Sequence, residues 1–144
     1  LKGFTLDQHI DELGCTLGDA LLTPTRIYVR DVAPLLEKYD LHGMAHITGG
    51  GIFENLPRVL GEGQRAKWDL RGYEIPAVFR LIEAWGNVER REMFGTFNMG
   101  VGMVLVVAAE DCAGILKDLQ ASGIDPIEMG SIVAGNKDVE LCGL

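Results

Sequence analysis

The stretch VGMVLVVAAEDCAGILKDLQASG, Val101 to Gly123, changes its apolar period from every residue to every third or fourth, and the fold is read from that change. Val101 to Ala108 is a short continuous apolar run rich in valine, which predicts a buried strand. Cys112, Ile115, Leu116 and Leu119 then recur at i, i+3, i+4 and i+7, which predicts a helix stopped at Gly123. Val78, Leu81, Ile82 and Trp85 repeat the stripe, with Pro76 at the start and Gly86 at the stop. Further out, Val32, Leu35, Leu36 and Tyr39 predict a helix with Pro34 in its first turn. Leu6, Ile10 and Leu13 predict a short opening helix, capped by Thr5 with Gln8 and ended by Gly14. Leu21 to Val29, broken by Pro24, reads as an irregular lead-in with a β-prone patch at Ile27, Tyr28 and Val29. Ile52, Leu56, Val59 and Leu60 suggest a helix that either starts near Asn55 or kinks there, because Pro57 removes an internal hydrogen bond. Ile127 to Val133 and Val139 to Leu144 flank Gly135-Asn136-Lys137-Asp138 as the arms of a hairpin. Helices and strands mix without a regular βαβ alternation, so the expected class is α+β rather than doubly wound.

The chain has 144 residues, with 13 Lys and Arg against 21 Asp and Glu, for a net charge of −8. That length fills one core, so a single domain spanning 1–144 is expected. An acidic field repels nucleic acid, and no partner of that kind is expected. The longest apolar run, Val101 to Ala109, falls well short of the roughly 20 residues that cross a bilayer, so no membrane partner is expected either. Cys15, Cys112 and Cys142 are odd in number and too far apart for a CxxC site, and are expected to fill core volume in a reducing cytoplasm. The sequence opens at Leu1 with neither an initiator Met nor a basic-then-apolar leader, which reads as part of a longer protein.

His42-Gly-Met-Ala-His46 has the i, i+4 spacing of a zinc-binding helix, yet Gly43 stands where that motif needs its glutamate base, and Gly43 and Ile47 favour extended chain. Histidines four apart in a strand stand roughly 13 Å from each other, so no shared metal is expected. His42 reads as a loop histidine, whereas His46 lies just ahead of Thr48-Gly49-Gly50-Gly51. That run is either a plain tight turn or a cradle in which backbone N–H groups approach a phosphate closely. It lacks the Lys-Ser/Thr of a Walker loop and the GxGxxG spacing. An acidic chain needs such a neutral cradle to hold a phosphorylated ligand, with Arg26 or Arg58 as sources of charge if they are not simply solvated. In Met93-Phe-Gly-Thr-Phe-Asn98-Met-Gly100-Val-Gly102-Met103, Asn98 either caps a helix-to-strand corner or orients a ligand through its paired donor and acceptor.

GDALLTPTRIYV (Gly18 to Val29), HGMAHITGGGIFENLPRVL (His42 to Leu60) and GNVERREMFGTFNMGVGM (Gly86 to Met103), in that order, resemble the C-terminal domain of the aminoimidazole ribonucleotide (AIR) synthetase family, the phosphoribosylformylglycinamidine cyclo-ligases of purine biosynthesis. The resemblance runs from Gly3 onward and is most specific in MAHITGGG with ENLPRVL, then in TFNMGVGM. It implies a three-layer α/β/α domain with a mixed sheet related to ferredoxin-like topology. It also implies a cytoplasmic homodimer, a phosphorylated small-molecule substrate, and ATP and Mg2+ bound mainly by an N-terminal domain. In the implied reaction ATP turns the formyl oxygen of formylglycinamidine ribonucleotide into an O-phosphoryl imidate, and the substrate's own nitrogen closes the imidazole as phosphate leaves. The protein's task is then to hold a reactive conformer and neutralise charge. By the same resemblance Thr48, Gly49, Gly50 and Gly51 bind a phosphate through backbone donors, and Asn98 positions substrate or the loop facing it. His46 hydrogen-bonds the reacting region as candidate general acid or base, imidazole being able to move a proton near neutral pH. The fragment is expected to be inactive alone. Gly95 stands where the family usually has Arg, Leu1-Lys2-Gly3 where it commonly has His-Ser/Thr-Asn-Gly, and Gly61 where it often has Pro. The alternatives are other members of the same ATP-using superfamily (formylglycinamidine synthetase, hydrogenase maturation protein, selenophosphate synthetase, thiamine monophosphate kinase) and a non-catalytic phosphate-binding module. MAHITGGG and TFNMGVGM argue against the first group.

Overall fold

The computed structural model describes residues 3–143; Leu1, Lys2 and Leu144, which end the Leu1-Lys2-Gly3 departure and the second hairpin arm, lie outside the described residues. Thr5 to Gly14 does not form the expected opening helix. It forms instead a two-rung ladder of β1 (His9–Ile10) and β2 (Cys15–Thr16), with His9 opposite Thr16 and Ile10 opposite Cys15. Of the expected stripe only Ile10 is buried and Leu6 is 65% exposed, so no packing rewards a helix too short to stand by itself. The first helix is α1 (Leu17–Leu21), which Thr16 caps by accepting the Asp19 N–H at 3.1 Å.

Helix α2 (Val29–Lys38) begins three residues before Val32, so Pro34 sits in its second turn rather than its first. The β-prone patch is thereby split between coil and helix, because Leu35 is the buried anchor and the propensity of an exposed Val29 is a weak opposing term. Strand β3 (Leu41–His46) follows, then α3 (Gly51–Asn55), which tightens at once into a 3₁₀ turn over Leu56–Val59. Of the two expected outcomes at Pro57, the chain takes the kink at Asn55.

Strand β4 (Gln64–Asp69) carries no apolar run: only Ala66 and Trp68 on its inward face are buried, between exposed Gln64 and Lys67. It is nevertheless the centre of a sheet, with β6 (Gly130–Ala134) antiparallel on one side and β7 (Asp138–Cys142) parallel on the other. This corrects the expected hairpin. The two arms reverse direction as a hairpin does, but they stand two strand spacings apart, about 10 Å, with β4 between them. Gly135 and Lys137 cross over the end of β4 by donating their N–H groups to the carbonyls of Gly63 (2.9 Å) and Gln64 (2.6 Å).

Helices α4 (Ala77–Gly86), α5 (Arg90–Thr96) and α6 (Ala109–Ala121) complete the α+β order, with β5 (Met103–Val107) between α5 and α6. The α4 stop is Asn87, left-handed at φ +50, rather than Gly86. Among the described residues strand β5 pairs with β3 alone, Leu41 opposite Val107 and His46 opposite Met103. It is half-buried rather than buried, because it also faces a largely apolar cavity of about 960 Å³ that it shares with α6 and β6. The cysteines are likewise free and half-buried, not core-filling. The most deeply buried side chains are Ile47, Leu56, Met93 and Met99, each contributing about 1.5–3 kcal/mol by its burial. Ile47 and Met99 belong to the segments that follow β3 and α5, so each of the two loops of interest is anchored by a fully buried side chain of its own. Among the described residues no helix is long and apolar enough to cross a membrane.

Candidate functional site

Three adjacent glycines have three different environments. Thr48 to Gly51 is a turn closed by the Gly51 N–H donating to the Thr48 carbonyl at 3.0 Å. Gly50 at φ +88, ψ −4 supplies the left-handed third position that a type II turn requires. Gly49 has open space where a Cβ would project, whereas a Cβ on Gly50 would strike the Glu54 carboxylate. Gly51 is buried, left-handed at φ +56, and a Cβ there would collide with the backbone carbonyl of Phe94. The Gly51 N–H is thus committed to the turn, while no protein group accepts from the N–H of Gly49 or Gly50 among the described residues.

Asn55, 4% exposed, is the buried polar side chain among the described residues and was not among the sequence candidates. Its Nδ2 faces the carbonyls of Gly51 (2.8 Å), Gly49 (3.2 Å) and Thr48 (3.5 Å). Two amide hydrogens serve three acceptors, the longest contact being the weakest. The side chain holds the turn's carbonyls inward. Its signal in the sequence is an Asn one helical turn after Gly51, placed between Ile52 and Leu56 on an otherwise apolar face.

The second loop is equally fixed. Asn98 Oδ1 accepts the Gly100 N–H at 2.9 Å and the Asn98 carbonyl accepts the Val101 N–H at 2.9 Å, so the backbone-capping alternative is what the corner shows. Because an N–H donor must face oxygen, the capping bond also determines that Nδ2 is the end left over for another partner. Met99 is left-handed at φ +51 with its side chain 1% exposed, and Tyr73 donates to its carbonyl at 3.0 Å. A non-glycine residue held in that region costs about 1–3 kcal/mol and persists only where packing over-determines it.

His46, Thr48 and Asn98 come together on one groove of about 470 Å³, walled by the Thr23–Arg26 segment, Tyr28, Gly100 and Gly102. Gly49 to Gly51 lie just beyond Thr48 and do not line it, and His42, four residues back on β3, faces elsewhere. The Tyr28 ring meets the His46 ring edge-on at 5.7 Å, and a Cβ on Gly102 would overlap the Tyr28 hydroxyl. Arg26 reaches the groove, whereas Arg58 is exposed on the 3₁₀ turn outside it. Gly95 lies on α5 over Phe53, the ring on which Arg91 stacks at 4.4 Å. Arg26 was one of the two cations offered by the sequence, whereas Tyr28 and Thr25 were hidden by an apparently β-prone, proline-broken stretch.

Residues 2–142 match the family described as AIR synthase related protein, C-terminal domain. The chain belongs to that family. Relatives of this AIR synthase related C-terminal domain include the phosphoribosylformylglycinamidine cyclo-ligase of Caldicellulosiruptor bescii, 48% identical over 136 residues that cover 94% of this chain and 40% of the relative. The phosphoribosylformylglycinamidine cyclo-ligase of Alkaliphilus metalliredigens is 43% identical over 141 residues, 98% of this chain and 41% of the relative. That of Pseudothermotoga lettingae is 46% identical over 134 residues, 93% and 40% respectively. The domain thus spans about two-fifths of the length of the curated relatives it matches. Among its described residues no three His, Cys, Asp or Glu side chains gather as a metal site requires, and the glycine turn has no adjacent Lys-Ser/Thr for nucleotide phosphates.

Proposed function

We propose that residues 1–144 are the C-terminal domain of a phosphoribosylformylglycinamidine cyclo-ligase, acting in ATP-dependent closure of formylglycinamidine ribonucleotide to aminoimidazole ribonucleotide. The observation that carries this reading is the convergence of His46, Thr48 and Asn98 on one groove, within the two segments most specific to the family. In it the N–H groups of Gly49 and Gly50, shaped by Gly51 and Thr48, receive a phosphate oxygen of the substrate at the groove's edge. Asn98 Nδ2 donates to a substrate oxygen, and His46 faces the reacting region as acid or base. Holding the substrate folded favours an intramolecular ring closure, which is the larger part of what such a domain contributes.

ATP and Mg2+ do not fit the described residues, which offer neither a metal cluster nor a nucleotide loop, so this reading assigns them to an N-terminal portion. The same reading takes the fold as a three-layer α/β/α arrangement of ferredoxin-like relation and the working enzyme as a cytoplasmic homodimer. Family membership supports the first two, and three free thiols suit the compartment. A coupled ADP-release assay with formylglycinamidine ribonucleotide tests the division of labour. The 144-residue chain alone should release none, and the chain fused behind the N-terminal portion of the Caldicellulosiruptor bescii relative should release ADP with substrate. Turnover by the chain alone would refute the proposal.

A further inference from the structure

We infer that Arg26 is the charged anchor of the groove and binds a phosphate group of the ligand, with Asp31 and Tyr28 as its positioning residues. This rests on reading the groove as the substrate site. Of the groove's side chains, Arg26 alone carries a permanent charge, and no carboxylate lines it, although the chain as a whole bears −8. The remaining polar side chains of the lining, Thr23, Thr25, Tyr28, His46, Thr48 and Asn98, are all able to donate a hydrogen bond. The glycine turn contributes neutral amides only, and the nearest charge to it is the Glu54 carboxylate against Gly50. A dianion held beside the turn needs a cation, and Arg26 lines the same groove as Thr48.

Arg26 is also held in place. Its Nε donates to Asp31 Oδ2 at 3.2 Å, one terminal nitrogen lies 3.0 Å from the same oxygen as an ion pair, and its guanidinium lies 6.0 Å from the centre of the Tyr28 ring. Asp31 occupies one edge of the fork and leaves the other free for a second bidentate contact. The Arg26 side chain is 51% exposed against 21% for Asp31, so the guanidinium stays open to a ligand while its partner is the more sheltered of the two. The Tyr28 hydroxyl fills the space that a side chain at Gly102 would take, so the ring sits close against the loop that carries Asn98.

The test is an amide NMR titration of the 144-residue chain with inorganic phosphate, against chloride at matched ionic strength. Saturable shifts are expected at Tyr28, Thr48 and Gly49. R26Q should weaken phosphate binding about tenfold or more, and R26K, which keeps the charge but loses the fork, should fall between. Unchanged melting temperatures establish that both variants fold; if R26Q does not, R26K decides alone. Phosphate affinity indifferent to both substitutions overturns the inference while leaving the glycine turn in place. Arginine-dependent binding with Gly49 and Gly50 silent upholds Arg26 and removes the turn from the proposed function. No saturable phosphate binding overturns both.

Discussion

At the scale of the residue, the three glycines after Thr48 should part company on substitution. Gly51→Ala combines a left-handed backbone with a collision against the Phe94 carbonyl, which cannot swing aside as a side chain does. It should cost about 2–5 kcal/mol. Gly49→Ala meets nothing within 4 Å and has no positive φ, so it should stay within about 0.5 kcal/mol. Urea unfolding measures both, and equal losses would contradict the turn described. Asn55→Ala leaves inward carbonyls without a donor and should cost about 1–3 kcal/mol by the same measurement. His46→Ala behaves oppositely: the side chain is exposed, so stability should hold, while turnover of the enzyme carrying this domain should drop by about 10²–10⁴ if the imidazole moves a proton. Steady-state kinetics of the fused enzyme reads this, and unchanged turnover would remove His46 from the chemistry.

At the scale of the element, what was legible followed from how much of the signal was local. The stripes at Val78–Trp85 and Cys112–Leu119 form the expected helices because their periodicity is local, whereas the run at Val101–Ala108 forms a strand that is half-buried rather than buried. Thr5–Leu13 showed a helical spacing with no partner to pack on, and the ladder won. Strand β4 escaped because its two buried residues, Ala66 and Trp68, give too short an alternation, and its centrality comes from partners more than 60 residues downstream. The hairpin error has the same root: turn chemistry at Gly135–Asp138 specifies reversal, not adjacency. In the site, His46, Thr48 and Asn98 were visible as motifs and Arg26 as one of two candidate cations, but Asn55 and Tyr28 acquire meaning only from three-dimensional neighbours. Hydrogen exchange separates the two sheet arrangements. A central β4 bonds outward on both edges, so the amides of Ala66 and Lys67 should be among the slowest to exchange. Rapid exchange there with strong protection between β6 and β7 would restore the hairpin.

At the scale of the whole molecule, carboxylates held by basic side chains reinforce the packing of elements, and acid should release them. The Lys38 ammonium and then the Tyr39 hydroxyl hold Asp118 below the usual carboxylate range, linking α2 to α6. Bidentate donation from Arg65 does the same for Asp138, linking β4 to β7. Arg71 pulls Asp69 down to about 2, again chiefly by hydrogen bonding. A carboxyl whose folded pKa lies below its unfolded value of about 3.9 contributes its full stability above that value and loses it as pH falls toward the folded one. The urea midpoint should therefore be flat from neutral pH to about 5 and decline between about pH 5 and pH 2. Solvent screening at these exposed pairs keeps each contribution modest, so the slope rather than the size is diagnostic. Asp138→Asn removes one of the protons taken up on unfolding, and should lower the midpoint at pH 7 while making the acid decline shallower. A variant as steep as the native chain would mean that the Arg65 contact is not formed in solution.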